Sequence, residues 1–164
     1  MVKVVYPGTF DPISLGHVDL IKRAKKMFPK VIVAISTGSD KSTLFSEDER
    51  LQITRKVLAD MDNVRVVLLE GLIADFVTKV GAYAVVRGLR AVSDFDYEFQ
   101  MAKINRYLNK NFETIFLTPH EKNTFLSSTM IRQVSKINPQ RISDYVHPVV
   151  LSALFQKQNK CCCL

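Results

Sequence analysis

The sequence predicts one α/β domain built on a doubly wound, parallel, five-stranded sheet, and three observations carry that expectation. Five short segments have strand character: Val2 to Tyr6, Val31 to Ile35, Val64 to Leu69, Tyr83 to Val86 and Glu113 to Thr118. The segments between them place apolar residues at helical spacing, the strand-helix alternation from which parallel sheets are made. Polar, ligand-competent clusters follow the strands at their carboxyl ends, where open α/β sheets bind their ligands. The 164 residues suffice for one core that buries roughly two-thirds of the unfolded surface.

The first strand leads into Pro7-Gly8-Thr9-Phe10-Asp11-Pro12, and Pro7-Gly8 and Asp11-Pro12 predict a turn. Gly16-His17 then opens a helix. Free N–H groups at a helix start carry partial positive charge and suit an anion such as phosphate. Thr9 adds a hydroxyl on the loop and His17 an imidazole in the first helical turn. The same residue types also serve as plain caps, so the chemistry of this stretch leaves both readings open.

Val18, Ile21, Ala24 and Phe28 give the first helix its apolar side, with Lys22, Arg23, Lys25 and Lys26 opposite, and Pro29 ends it. Val31-Ile32-Val33-Ala34-Ile35 lacks alternation, as expected of a strand covered on both faces. The polar loop from Ser36 to Thr43 places Lys41 beyond that strand's carboxyl end, where it either meets an anion or is simply solvated. Ser46 and Glu49 have the spacing of a capping box and start a scaffold helix.

After the third strand, Glu70 to Ile73 turns into a short helix through Val80, closed by Gly81. The fourth strand runs straight into Arg87-Gly88-Leu89-Arg90. Two guanidinium forks can hold phosphate oxygens bidentately, and Gly88 permits close backbone approach. A long helix is expected from Ala91 to Asn109, with Phe95, Tyr97 and Phe99 assigned to packing or a subunit contact. Past the fifth strand, Leu126-Ser127-Ser128-Thr129 offers three hydroxyls at a helix start, with Arg132 one turn in. One hydroxyl is enough for a cap, so three favour ligand contact. His120 and His147 have no partners at metal spacing and read as structural or surface residues.

The composition narrows the function classes. A formal charge of +7 calls for an anionic partner, either a small phosphorylated molecule or nucleic acid. Zinc-finger spacing, RNP-type aromatic segments and long Lys/Arg blocks are missing from the sequence, which leaves nucleic acid as the rival reading. No run approaches the roughly 18 apolar residues of a membrane span, and no signal peptide is read, so a cytoplasmic protein with no membrane partner is expected. The three cysteines, Cys161 to Cys163, are adjacent; a prenylation box is not expected, because both of its middle positions are Cys. A domain over 1–158 and a disordered Cys-rich tail over 159–164 are expected.

Three motifs in order carry a resemblance: Tyr6 to Pro12 with Gly16-His17; Arg87-Gly88-Leu89-Arg90-Ala91-Val92 with Asp94-Phe95 and Tyr97-Glu98; and Leu126 to Thr129. Together they resemble the bacterial phosphopantetheine adenylyltransferases, of the nucleotidyltransferase superfamily that carries a (Thr or His)-x-Gly-His element. Here that element reads Ser14-Leu15-Gly16-His17, and Thr129 stands where a third Ser is usual. The resemblance implies a Rossmann-like nucleotidyltransferase fold. It also implies transfer of the adenylyl group of ATP to 4′-phosphopantetheine, giving dephospho-coenzyme A and pyrophosphate without a covalent intermediate.

Carried over residue by residue, the resemblance makes His17, Thr9, Lys41 and Arg90 the catalytic set. It assigns ATP to Thr9, Phe10, His17, Gly88, Leu89, Arg90 and Glu98, together with Asn123, Thr124, Phe125, Leu126, Ser127, Ser128 and Thr129. Thr9, Lys41, Ile73 and Arg87 fall to the acceptor. It further implies Mg2+ carried mainly by the ATP phosphates with no protein metal site, a homohexamer, and coenzyme A as a feedback ligand.

Overall fold

The structure is a computed structural model that describes residues 2–38, 42–111 and 113–161. In chain order the elements are β1 (Lys3–Gly8), α1 (Leu15–Met27), β2 (Lys30–Ser36), α2 (Glu47–Val57), β3 (Val64–Leu69), α3 (Ile73–Val80), β4 (Ala84–Gly88), α4 (Val92–Leu108), β5 (Glu113–Leu117), α5 (Ser128–Ile137) and α6 (Pro148–Cys161). Single 3-10 segments, Glu121–Asn123 and Pro139–Tyr145, flank α5. The five strands form one parallel sheet in the order β3-β2-β1-β4-β5. The chain winds outward from β1 to β3, then returns to β4 on the other side of β1. That reversal opens a crevice at the carboxyl ends of β1 and β4.

The pleat explains why the strands read as unbroken apolar runs. In β1, Val4 and Val5 are both fully buried but point to opposite faces. Val4, Tyr6, Val31, Val33, Ile35 and Val86 pack with Ile21, Ala24, Leu51, Ile131, Val150 and Leu154 of α1, α2, α5 and α6. Val5, Ile32, Ala34 and Val85 pack with Ala74 and Val77 of α3. α4 lies beside α3, its end tied down by Asn109, whose side-chain amide donates to the Ala74 carbonyl at 3.1 Å and to Thr78 Oγ1 at 2.8 Å.

The caps follow the sequence chemistry. Ser46 Oγ accepts from the Glu49 N–H at 3.2 Å, while Glu49 returns an oxygen to the Ser46 N–H at 2.8 Å. Gly81, in the left-handed conformation at φ 61°, ends α3.

One expectation needs correction. Pro7 and Gly8 do not turn; they continue β1, paired with Ala34 and Ile35, and the turn comes at Phe10, where φ reaches 48°. Over the segment where a disordered tail is expected, α6 continues through Cys161, so 159–161 are helical. The last three residues lie outside the described ones. Among the described residues no helix is long and apolar enough to cross a membrane.

Candidate active site

The crevice at the β1 and β4 ends holds a cavity of about 460 Å³. Its walls come from four places in the sequence. The first loop contributes Thr9, Phe10 and Asp11, and the start of α1 contributes Ser14 and His17. Ser42 and Thr43 follow β2, while Arg87, Gly88 and Arg90 end β4. The fourth wall is Asn123, Leu126, Ser127, Ser128, Thr129 and Arg132 around the start of α5. His17 and Arg87, distant in sequence, thus share one cavity.

His17 is fixed by the helix it begins. Ser14 is the N-cap; its hydroxyl faces the His17 N–H at 3.4 Å, and its own N–H donates to His17 Nδ1 at 3.0 Å. The ring thereby replaces the Glu or Gln of an ordinary capping box. A main-chain N–H can only donate, so Nδ1 carries the lone pair and the hydrogen of the neutral ring sits on Nε2. The Phe10 ring, only 2% exposed, packs edge-on to the imidazole at 5.1 Å between centroids. Burial, aided by the Arg90 charge, lowers the His17 pKa to about 4, so the ring is neutral at pH 7.

The two arginines at and just beyond the end of β4 differ in their surroundings. Arg87 donates from Nε to Glu98 Oε2 at 2.7 Å and from Nη2 to Oε1 at 2.5 Å, while Nη1 reaches the Pro7 carbonyl at 3.0 Å. Burial works to lower its pKa, but the hydrogen bonds and charge of Glu98 outweigh it, and the pKa ends above its ordinary value. Arg90 is more exposed. It pairs with Asp94 at 3.1 Å and reaches the Leu126 carbonyl at 3.5 Å, which ties the end of β4 to the wall of α5.

Gly88 also gives a neighbouring side chain its room: a Cβ there would lie 2.5 Å from Leu20 Cδ1 of α1. The three hydroxyls at the start of α5 divide. Ser127 Oγ caps the helix by accepting from the Met130 N–H at 3.0 Å, and Ser128 Oγ donates to the Pro12 carbonyl at 2.8 Å. Thr129 Oγ1 accepts from Arg132 at 3.3 Å.

Of the residues singled out in the sequence, Thr9, Phe10, His17, Arg87, Gly88, Arg90, Asn123, Leu126, Ser127, Ser128 and Thr129 line the cavity. Leu89, Glu98, Ile73, Thr124 and Phe125 do not. Glu98 meets the cavity only through Arg87, and Leu89 donates its N–H to the Leu117 carbonyl at 2.9 Å. Ile73 begins α3 against the opposite core, and the exposed Phe125 stacks edge-on with Tyr145. Lys41 lies outside the described residues.

Two charged residues went unassigned in the sequence. Arg50, placed on a scaffold helix, is 2% exposed and donates to the Thr9 and Ser36 carbonyls at 2.8 and 2.9 Å, joining the first loop to the end of β2. Its spacing to Thr54 and Val57 on the inner side of α2 was the available signal. Asp11 is 1% exposed and accepts from the Leu44 and Phe45 N–H groups. Among the described residues no group of three or more His, Cys, Asp or Glu side chains assembles that could hold a metal. Asp11, the carboxylate in the cavity wall, is committed to those amides and to Arg132.

A parallel sheet reversing at β1 and β4, with a cationic, N–H-rich cavity at that reversal, is the framework of a nucleotidyltransferase. Residues 5–134 match the cytidylyltransferase-like family. The chain is 50% identical to a phosphopantetheine adenylyltransferase of Thiobacillus denitrificans over 157 residues, covering 96% of this chain and 98% of that protein. It is 51% identical to a phosphopantetheine adenylyltransferase of Francisella philomiragia, over 95% and 96% of the two chains. In fold it is similar to a Plasmodium falciparum nicotinic acid mononucleotide adenylyltransferase complexed with NaAD, with a TM-score of 0.71 at 14% identity over 95% and 96% of the two chains. The chain belongs to the phosphopantetheine adenylyltransferase family.

Proposed function

We propose that the chain transfers the adenylyl group of ATP to 4′-phosphopantetheine, giving dephospho-coenzyme A and pyrophosphate in coenzyme A synthesis. The observation that most supports this reading is the convergence of His17, Arg90 and the start of α5 on the cavity that also receives Thr9 and Arg87. An oxygen of the acceptor phosphate attacks the α-phosphorus. The bond to the bridging oxygen breaks, and its electron pair leaves with pyrophosphate. No side chain becomes attached, so the protein contributes position and charge stabilisation.

In this reading His17 acts as a neutral donor, directing a hydrogen bond from Nε2–H to an α-phosphate oxygen as negative charge builds there and keeping its proton throughout. Arg90 and the first N–H groups of α5 face the distal phosphates, and the Thr9 hydroxyl serves both reactants. Phe10 contributes through its backbone, since its ring is buried behind His17. Gly88, Leu89 and the segment from Asn123 to Thr129 border the nucleotide. Arg87, Lys41 and Ile73 take the acceptor side, and Glu98 acts by holding Arg87. ATP brings Mg2+ on its own phosphates, which offsets repulsion between the two anionic reactants. The protein works in the cytoplasm as a homohexamer, for which the exposed apolar side chains of α4 offer a surface, and coenzyme A competes at the site as a feedback ligand.

A pyrophosphate-release assay with ATP and a panel of acceptors tests the reading. Release with 4′-phosphopantetheine is expected to exceed that with nicotinamide mononucleotide or glycerol phosphate by a wide margin. Equal rates with all three would remove the assignment.

A further inference from the structure

Asp11 occupies an unusual place among the residues of the cavity wall. Its carboxylate is 1% exposed and accepts from two successive main-chain amides, Leu44 N–H at Oδ2 (2.8 Å) and Phe45 N–H at Oδ1 (2.9 Å). Those amides belong to the segment that places Ser42 and Thr43 in the cavity. From the other side, Arg132 of α5 sets Nη1 at 3.3 Å from Asp11 Oδ2 and 2.5 Å from the Asp11 carbonyl. Its Nη2 donates to Thr129 Oγ1, at the start of the same helix. One buried carboxylate is therefore the shared partner of two walls that do not otherwise bond to each other through these groups. A buried carboxylate is stable only while its acceptors are filled, so each wall is a condition for the position of the other.

We infer that Asp11 is a positioning residue that couples the segment around Leu44 and Phe45 to the start of α5, so that loosening either wall loosens both. On the reading above, the first wall faces the acceptor and the second the nucleotide; only the kinetic arm of the test rests on that assignment. Asp11→Asn keeps one acceptor oxygen but turns an amide N–H toward a donor and removes the charge facing Arg132. Arg132→Gln removes the guanidinium and touches neither Leu44 nor Phe45.

Hydrogen exchange of the ligand-free, full-length protein reads the link without any substrate. Exchange at the Leu44 and Phe45 amides is expected to rise about tenfold in both variants, the loss of roughly one hydrogen bond's protection. Exchange in the β2 amides stays at the parent rate. In the kinetic arm, Arg132→Gln raises KM for 4′-phosphopantetheine as well as KM for ATP, with kcat less affected. Unchanged exchange at Leu44 and Phe45 in Arg132→Gln overturns the coupling, whether or not Asp11→Asn folds. Altered exchange at those amides with no acceptor dependence in the kinetics keeps the coupling and instead overturns the assignment of the walls to the two substrates.

Discussion

The imidazole of His17 illustrates how one side chain acquires a defined protonation state from its backbone neighbours. The Ser14 amide claims Nδ1, the Phe10 ring covers one side, and Arg90 adds positive charge nearby. All three disfavour the imidazolium. Between pH 6.5 and about 4 the unfolded chain binds a proton at this residue that the folded chain refuses. Stability due to this group is complete above pH 6.5, falls as the pH drops toward about 4, and changes no further below that. Thermal unfolding of His17→Ala across this range should therefore show a flatter pH dependence than the parent. Turnover in the same variant should fall by about 10²- to 10³-fold, as for removal of one preorganised donor. Parent-level turnover in a folded His17→Ala protein would exclude the role given to the ring. The residue itself was legible in the sequence from its place after Gly16. Its tautomer was not, because it depends on the angle at which the Ser14 amide meets the ring.

At the scale of elements, the end of β4 leaves room for a side chain of α1. Leu20 is 4% exposed and fills the space beside Gly88. Gly88→Ala should cost about 1–3 kcal/mol by overpacking. Combining it with Leu20→Ala should cost less than the sum of the two single changes, since the second opens the volume that the first needs. Denaturant unfolding of the four proteins measures the cycle, and strict additivity would show that the two positions do not share that space. Strands and helices were readable almost residue by residue wherever periodicity and caps agreed, as at Ser46-Glu49 and in the β2 run. The end of β1 was not, because Pro7 and Gly8 are turn formers locally, and only pairing with Ala34 and Ile35 of another strand keeps them extended. Arg50 and Asp11 escaped for a related reason. Apart from the Arg132 guanidinium on Asp11, their partners are main-chain groups of Thr9, Ser36, Leu44 and Phe45, and main-chain partners leave no mark in the identity of the residues that provide them.

For the whole molecule, the sheet order places all the ligand-competent ends on one edge, and the alternation of strand and helix announced this from the sequence. What it could not announce is how α4 would be left. Phe95 is 42%, Tyr97 64% and Tyr107 85% exposed, with Ile104 and Leu108 half exposed beside them, an apolar surface of a kind that marks association. Light scattering of the purified protein is expected to give six chain masses, and Tyr107→Glu to give a smaller species. A parent protein that runs as a single chain at micromolar concentration would argue against the assembly.

The joint between Ser14 and His17 has one more result. The amide that begins α1 is the same group that decides which ring nitrogen bears a hydrogen, so helix start and proton location are a single mechanical object. A substitution that frays the first turn of α1 releases the imidazole to flip and exchange its hydrogen between nitrogens, even when it lies well away from the cavity. Engineering that strengthens or weakens this helix start accordingly alters the chemistry at its tip, and the two properties cannot be adjusted apart.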